Sequence, residues 1–162
     1  MSKTEWRVGV AGLGTVGGGL LNFLSDRAGF APAGGQAVVT GVSARSRSRP
    51  RPFDISNLPW YDDPVELAKS PDVDIFVELI GGLDPAEDLV RAALHAGLDV
   101  VTANKALLAR RGLALETLAS SCGARISASA AVAGAVPALE LVERTAAAGR
   151  LRGFDGVLNG TT

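Results

Sequence analysis

A chain of 162 residues with 47% hydrophobic and 20% charged side chains has the balance of one folded domain with a single good core, which excludes a disordered segment. Sixteen basic against seventeen acidic residues leave a net charge of −1, so no overall field draws nucleic acid or an anionic membrane, and any anion must be held by local groups. No apolar run reaches the ~18 residues of a transmembrane helix, no signal-peptide segment opens the chain, and the lone Cys122 excludes an internal disulfide or a cysteine-based metal cluster, so a cytoplasmic protein is expected.

The apolar run at residues 7–11 predicts a first strand. It passes straight into Gly12-Leu13-Gly14-Thr15-Val16-Gly17, and then into a helical segment with Val16, Leu20, Leu21 and Leu24 on one face, ending near Arg27. Strand, glycine turn and helix form the setting in which G-x-G-x-x-G binds a dinucleotide. Gly12 permits the tight turn, Gly14 removes the Cβ that would strike a pyrophosphate, and Gly17 lets the helix lie close to the strand. The phosphates would rest on free N–H groups at the helix N-terminus. A loop over 29–35 leads to a second strand over 37–43, whose C-terminal end is where such folds read the adenine ribose. An acid there would hold the ribose hydroxyls of NAD. This chain instead has Ala44, followed by Arg45, Arg47, Arg49 and Arg51 alternating with small or hydroxyl residues. A guanidinium grips a 2′-phosphate with two hydrogen bonds, so Arg45, nearest the strand, is the candidate contact to NADP, with NAD as the other option; the remaining arginines read as a solvated loop.

Residues 52–61 are irregular, and Trp60-Tyr61 reads as loop packing. Asp63-Pro64 predicts an N-cap and first position for a short helix to about Lys69. Residues 74–80 read as a buried strand interrupted by Glu78, a carboxylate that needs a partner or a ligand. Gly81-Gly82 follows at the strand's C-terminal edge, where a nicotinamide ribose can approach the backbone. Asp84-Pro85 predicts the cap of another helix, with Glu87 and Asp88 in its first turn, His95 in its last and Gly97 as its stop; His95 at a helix C-terminus has a structural explanation. A strand over 99–102 leads to Ala103-Asn104-Lys105 at the ligand edge. There an ammonium reaches a bound carbonyl or ribose, or is simply solvated. A helix over 112–121 ending near an inert Cys122, a strand over 124–129, a helix from Pro137 to Ala148 stopped by Gly149, and a last strand over 151–158 complete the pattern. Alternating strands and helices imply an α/β doubly wound parallel sheet, one domain over residues 1–158.

Four segments in order resemble homoserine dehydrogenase in its N-terminal NAD(P)-binding, Rossmann-type domain: Gly12 to Gly17, Glu78-Leu79-Ile80-Gly81-Gly82, the run from Val101 through Asn104-Lys105 to Ala109, and Asn159-Gly160-Thr161-Thr162. The resemblance implies NAD(P)-dependent interconversion of L-aspartate 4-semialdehyde and L-homoserine, a step towards threonine and methionine. It implies a cofactor site at Gly12, Leu13, Gly14, Thr15, Val16, Gly17, Arg45, Gly81, Gly82, Asn104 and Lys105, with Lys105 as the catalytic residue. It also implies a sodium ion on carbonyls of the loop containing Ser129, Val132, Gly134 and Val136, where the family's glutamate is Ser129 and a glycine is Ala135. Residues 159–162 then begin a substrate domain that the chain lacks, so it is expected to fold and bind cofactor without turnover. The small-molecule substrate would meet that missing domain, and the parent enzyme is expected to be a homo-oligomer. The alternative is a free-standing NADP-binding redox sensor or regulator. A thioester-type semialdehyde dehydrogenase would need an activated cysteine, which Cys122 does not resemble.

Overall fold

Strand β1 (Glu5–Ala11) is the pivot of the sheet, with Val8, Val10 and Ala11 buried by layers on both faces. In the computed structural model, which describes residues 5–26, 35–132, 134, 137–150 and 152–153, β1 pairs in parallel with β2 (Gln36–Ser43) on one side and β3 (Ile75–Glu78) on the other. Strands β4 (Asp99–Thr102) and β5 (Ile126–Ser127) continue outward, giving five parallel strands in the order β2-β1-β3-β4-β5.

Parallel neighbours require crossovers. They are made by α1 (Thr15–Asp26) between β1 and β2, α2 (Pro64–Ala68) before β3, α3 (Ala86–His95) before β4 and α4 (Lys105–Ser121) before β5. A 3₁₀ turn (Ser129–Ala131) and α5 (Ala138–Ala148) follow. The winding reverses between β1 and β3, so the layers fall on opposite faces. On one, Leu21 of α1 packs with Val10, Val42 and Val77, joined by Phe53, Ile55 and Leu58 of the long loop. On the other, Leu67, Leu89, Leu94, Leu107 and Leu115 of α2, α3 and α4 cover Phe76. Each such leucine contributes about 1.5–3 kcal/mol by leaving water. The doubly wound α/β sheet expected from the sequence is the fold observed.

Ion pairs gather where the strands begin. Arg7 donates from Nε and Nη2 to Asp74 at 3.1 and 2.8 Å, and Arg125 donates its backbone N–H to Asp99 at 2.9 Å while its guanidinium pairs with the same carboxylate. Glu87 of α3 receives Arg91 and Arg111, the latter from α4, each at 2.9 Å, which ties the two helices together.

Some elements depart from expectation for definable reasons. Helix α4 starts at Lys105, not near residue 112, because Asn104 caps it: its Oδ1 accepts the Leu107 N–H at 3.1 Å. Gly112 lies inside the helix, a cost of about 1 kcal/mol that the buried Leu107, Leu115 and Ala119 offset. Asp84 does not cap α3; Pro85 holds the N-cap position and no side-chain cap bond forms. Strand β3 stops at Glu78 and β5 spans only two residues. Val16 is 60% exposed rather than part of the buried face of α1. Of the last strand expected at 151–158 only residues 152–153 are described, and they form no strand; the domain boundary at 158/159 falls outside the described residues.

Candidate dinucleotide-binding cleft

In an open parallel sheet a crevice forms beyond the strand ends where the winding reverses. Here that point lies between β1 and β3, and Gly12 occupies it. Its φ is +105°, its N–H donates to the Ser43 carbonyl at 2.9 Å, and a Cβ there would lie 2.5 Å from the Leu79 carbonyl carbon. A Cβ on Gly17 would lie 2.1 Å from the Gly12 oxygen, so α1 approaches the turn as closely as a glycine allows. Gly14 differs: a Cβ there would meet nothing within 4 Å, because the position opens onto the cleft. The Gly18 N–H bonds the Gly14 carbonyl at 2.9 Å, leaving the N–H groups of the turn before it without helical acceptors. Thr15 and Val16 stand exposed in that turn.

The cleft has a volume of about 490 Å³; its floor is Gly12, Leu13 and Gly14, and one wall is Ser43, Ala44 and Arg45 at the end of β2. Leu79 and Ile80 form the opposite wall. Ser43 is 1% exposed and its Oγ has no hydrogen-bond partner, an orphaned polar atom beside the cleft. The open Gly14, the free N–H groups of α1 and this hydroxyl fit a ribose and pyrophosphate. Arg49 and Arg51 also reach the cleft, so the basic loop is not simply solvated. Trp60 packs under it, with the Arg47 and Arg51 guanidinium carbons 6.0 and 5.7 Å from its ring centre. Sequence reasoning missed Asp62, whose carboxylate lines the cleft while Oδ1 accepts the Trp60 indole N–H at 2.8 Å. It arrives there because a bridge between Val42 and Trp60 lays this segment beside β2, a long-range pairing that no local pattern reveals.

The second end of the sheet edge is built around Glu78, which is fully buried. Oε1 accepts the N–H groups of Ile80 and Gly81 at 2.7 and 3.0 Å, and Oε2 accepts the Thr102 hydroxyl at 2.6 Å. That hydroxyl also accepts the Asn104 N–H at 3.0 Å, and the Asn104 side-chain amide donates to the Gly82 carbonyl at 2.6 Å. The carboxylate flagged by the sequence thus ties the ends of β3 and β4 and bends the chain into Gly81 and Gly82, both at positive φ. Asn104 is buried and works as cap and tether; Thr102 is a second residue that sequence reasoning missed. Lys105 is exposed in the first turn of α4 and has no ion pair among the described residues. A cation there meets the like-signed end of the helix dipole, a cost of about 0.3–1 kcal/mol, so local electrostatics do not explain a lysine. Gly81, Gly82, Asn104 and Lys105 share this sheet edge but lie outside the walls of the 490 Å³ cleft.

Residues 12–129 match the family model described as homoserine dehydrogenase, NAD binding domain. The chain belongs to the homoserine dehydrogenase family. It is 38% identical over 156 residues to the homoserine dehydrogenase of Pseudomonas aeruginosa, and 35% identical over 156 residues to that of Synechocystis sp.. Each alignment covers 96% of this chain but 36% of the relative, so the chain spans about a third of the length of the curated relatives it matches. The solved homoserine dehydrogenase of Thiobacillus denitrificans superposes with a TM-score of 0.74 at 33% identity, over 91% of this chain and 35% of that one.

Within this homoserine dehydrogenase NAD-binding domain, the remaining candidates stand apart from the cleft. Ser129 opens the 3₁₀ turn; its hydroxyl donates to Glu140 of α5, which holds that carboxylate below its ordinary pKa, and its carbonyl accepts the Val132 N–H at 3.1 Å. Gly134 takes a left-handed φ of +62°, and Val136 lies outside the described residues. Cys122 caps the C-terminus of α4, half-buried, with Sγ 3.9 Å from His95 Nδ1. The histidine that is remote in sequence is therefore a neighbour in space. Both sit at helix C-termini, at the sheet edge opposite the cleft.

Proposed function

We propose that this chain is the part of an NAD(P)-dependent homoserine dehydrogenase that binds NADP(H), serving the interconversion of L-aspartate 4-semialdehyde and L-homoserine. The observation that carries the reading is the cleft itself. It joins an open glycine turn, a helix N-terminus and a cluster of arginines at the switch point of a parallel sheet. The cofactor, when bound, supplies the hydride that reduces the aldehyde carbon. The N–H groups of α1 hold the pyrophosphate, and Gly14 lets it approach the backbone. Arg45 and Arg49 hold the 2′-phosphate, while the Ser43 hydroxyl finds its acceptor on the ribose. Lys105 Nζ holds the proton that the carbonyl oxygen takes during reduction, at the start of a helix fixed by Asn104, Thr102 and Glu78. A sodium ion, where one binds, would rest on backbone carbonyls of the 129–136 loop, among them that of Ser129, which accepts one N–H and keeps a second lone pair; no step passes through it.

Calorimetric titration of the chain with NADPH and NADH tests this. A charge-assisted grip on the 2′-phosphate contributes about 1.5–3 kcal/mol, which makes NADPH roughly 10- to 150-fold tighter. Arg45→Ala narrows that gap. Equal affinities remove the NADP assignment, and binding of neither removes the function.

A further inference from the structure

The guanidinium of Arg51 is unusual in what it touches. Its Nη2 donates to the Ser46 carbonyl at 2.6 Å, and its Nη1 donates to the carbonyls of Arg49 at 2.9 Å and Arg47 at 3.1 Å. The Nε is buried, and the Trp60 ring lies 5.7 Å from the guanidinium carbon. The segment from Ser46 to Arg49 is therefore curled with three carbonyls turned onto one side chain. Its other end is pinned as well. Phe53 lies against α1 where Gly18 leaves room, and a Cβ on Gly18 would lie 2.2 Å from the Phe53 ring. Three of its five N–H groups are given to the loop and Nε is buried, so Arg51 has no pair of free N–H groups to offer an anion as a fork. Arg45 and Arg49 remain exposed along the cleft, on a loop that would otherwise swing freely and carry four like charges close together.

We propose that Arg51 is a positioning residue for cofactor choice: by holding three loop carbonyls it presets the loop so that Arg45 and Arg49 meet a 2′-phosphate. This rests on the NADP(H) reading above. The device is a matter of shape rather than charge. A planar fork with two separate nitrogens can hold the three carbonyls of Ser46, Arg47 and Arg49 at once, whereas an ammonium is a single point. Preorganisation lowers the entropy lost when a ligand orders the loop, and that saving reaches only ligands the loop contacts.

The test uses Arg51→Lys in the 162-residue chain, with adenosine 2′,5′-bisphosphate and AMP as probes in calorimetric titration. Lysine keeps the charge and loses the fork. The expected result is about a tenfold or greater fall in bisphosphate affinity with AMP affinity unchanged. A wild-type ratio of the two affinities in Arg51→Lys, with Arg45→Ala lowering it, overturns the positioning role and leaves the NADP reading standing. A wild-type chain that binds the bisphosphate no tighter than AMP overturns both. Should Arg51→Lys lose AMP binding too, Gly18→Ala decides. It displaces Phe53 without removing a charge, so a selective fall in bisphosphate affinity supports the preset loop and an unchanged ratio overturns it.

Discussion

Replacing Thr102 by Val changes almost no volume and removes one hydroxyl, at a position with no exposure to water. The hydroxyl makes two bonds, donating to Glu78 Oε2 at 2.6 Å and accepting the Asn104 N–H at 3.0 Å. Valine can do neither, so the change is not isosteric in the sense that matters. Loss of a hydrogen bond to a buried carboxylate costs about 1.5–3 kcal/mol, and a buried N–H left without an acceptor costs about 1–3 kcal/mol. The two together predict a destabilisation of roughly 2.5–6 kcal/mol, a large share of the ~5–15 kcal/mol stability of an ordinary domain. Thr102→Ser is the control. It keeps both bonds and loses one methyl, worth about 1 kcal/mol. Urea unfolding, followed by far-UV circular dichroism with the m-value checked for constancy, measures both. A Thr102→Val chain no less stable than Thr102→Ser would refute the network as the strut of this sheet edge.

The Glu87 carboxyl is held below its usual pKa chiefly by the Arg111 side chain and then by Arg91, so the stability it contributes is present above the ordinary carboxylate pKa of ~4.3 and fades as pH falls through the depressed value. Glu87→Gln is accordingly less stable than wild type at pH 7, with the difference shrinking towards pH 3 in paired urea titrations; a constant difference contradicts the ion-pair account. In a chimera carrying this chain in place of the matching segment of the Pseudomonas aeruginosa enzyme, Lys105→Ala lowers kcat by at least ~10²-fold at saturating NADPH, as steady-state assay reports, and near-wild-type turnover removes the proton role.

The legible parts of this molecule are those written in short-range code. The first strand, the glycine turn and α1 follow from the continuous stretch Glu5 to Asp26, and Asp63-Pro64 marks α2 because a cap and a fixed φ act within one turn: Asp63 Oδ1 accepts the Val65 N–H at 2.8 Å. The start of α4 was misplaced because only Leu107, Leu115 and Ala119 of its seventeen residues are buried, so its apolar periodicity is weak; the Asn104 cap was the signal that counted. Glu78 announced a need for partners by its burial among apolar residues, but Thr102, twenty-four positions on, becomes its partner only through the β3–β4 register. Asp62 in the cleft and His95 beside Cys122 are equally products of topology.

The ion pairs Arg7–Asp74 and Asp99–Arg125 mark the edge where strands start, and the glycine turn and arginine loop occupy the edge where they end. Three to four residues of strand separate the two, roughly 10–13 Å at ~3.3 Å per residue, which exceeds the Debye length of about 8 Å at physiological ionic strength. A charge altered at one edge is thus hardly felt at the other. Laboratory evolution of this domain can therefore rewrite the starting edge for heat tolerance, trading lysine for arginine or adding new carboxylates, and leave cofactor discrimination where it was.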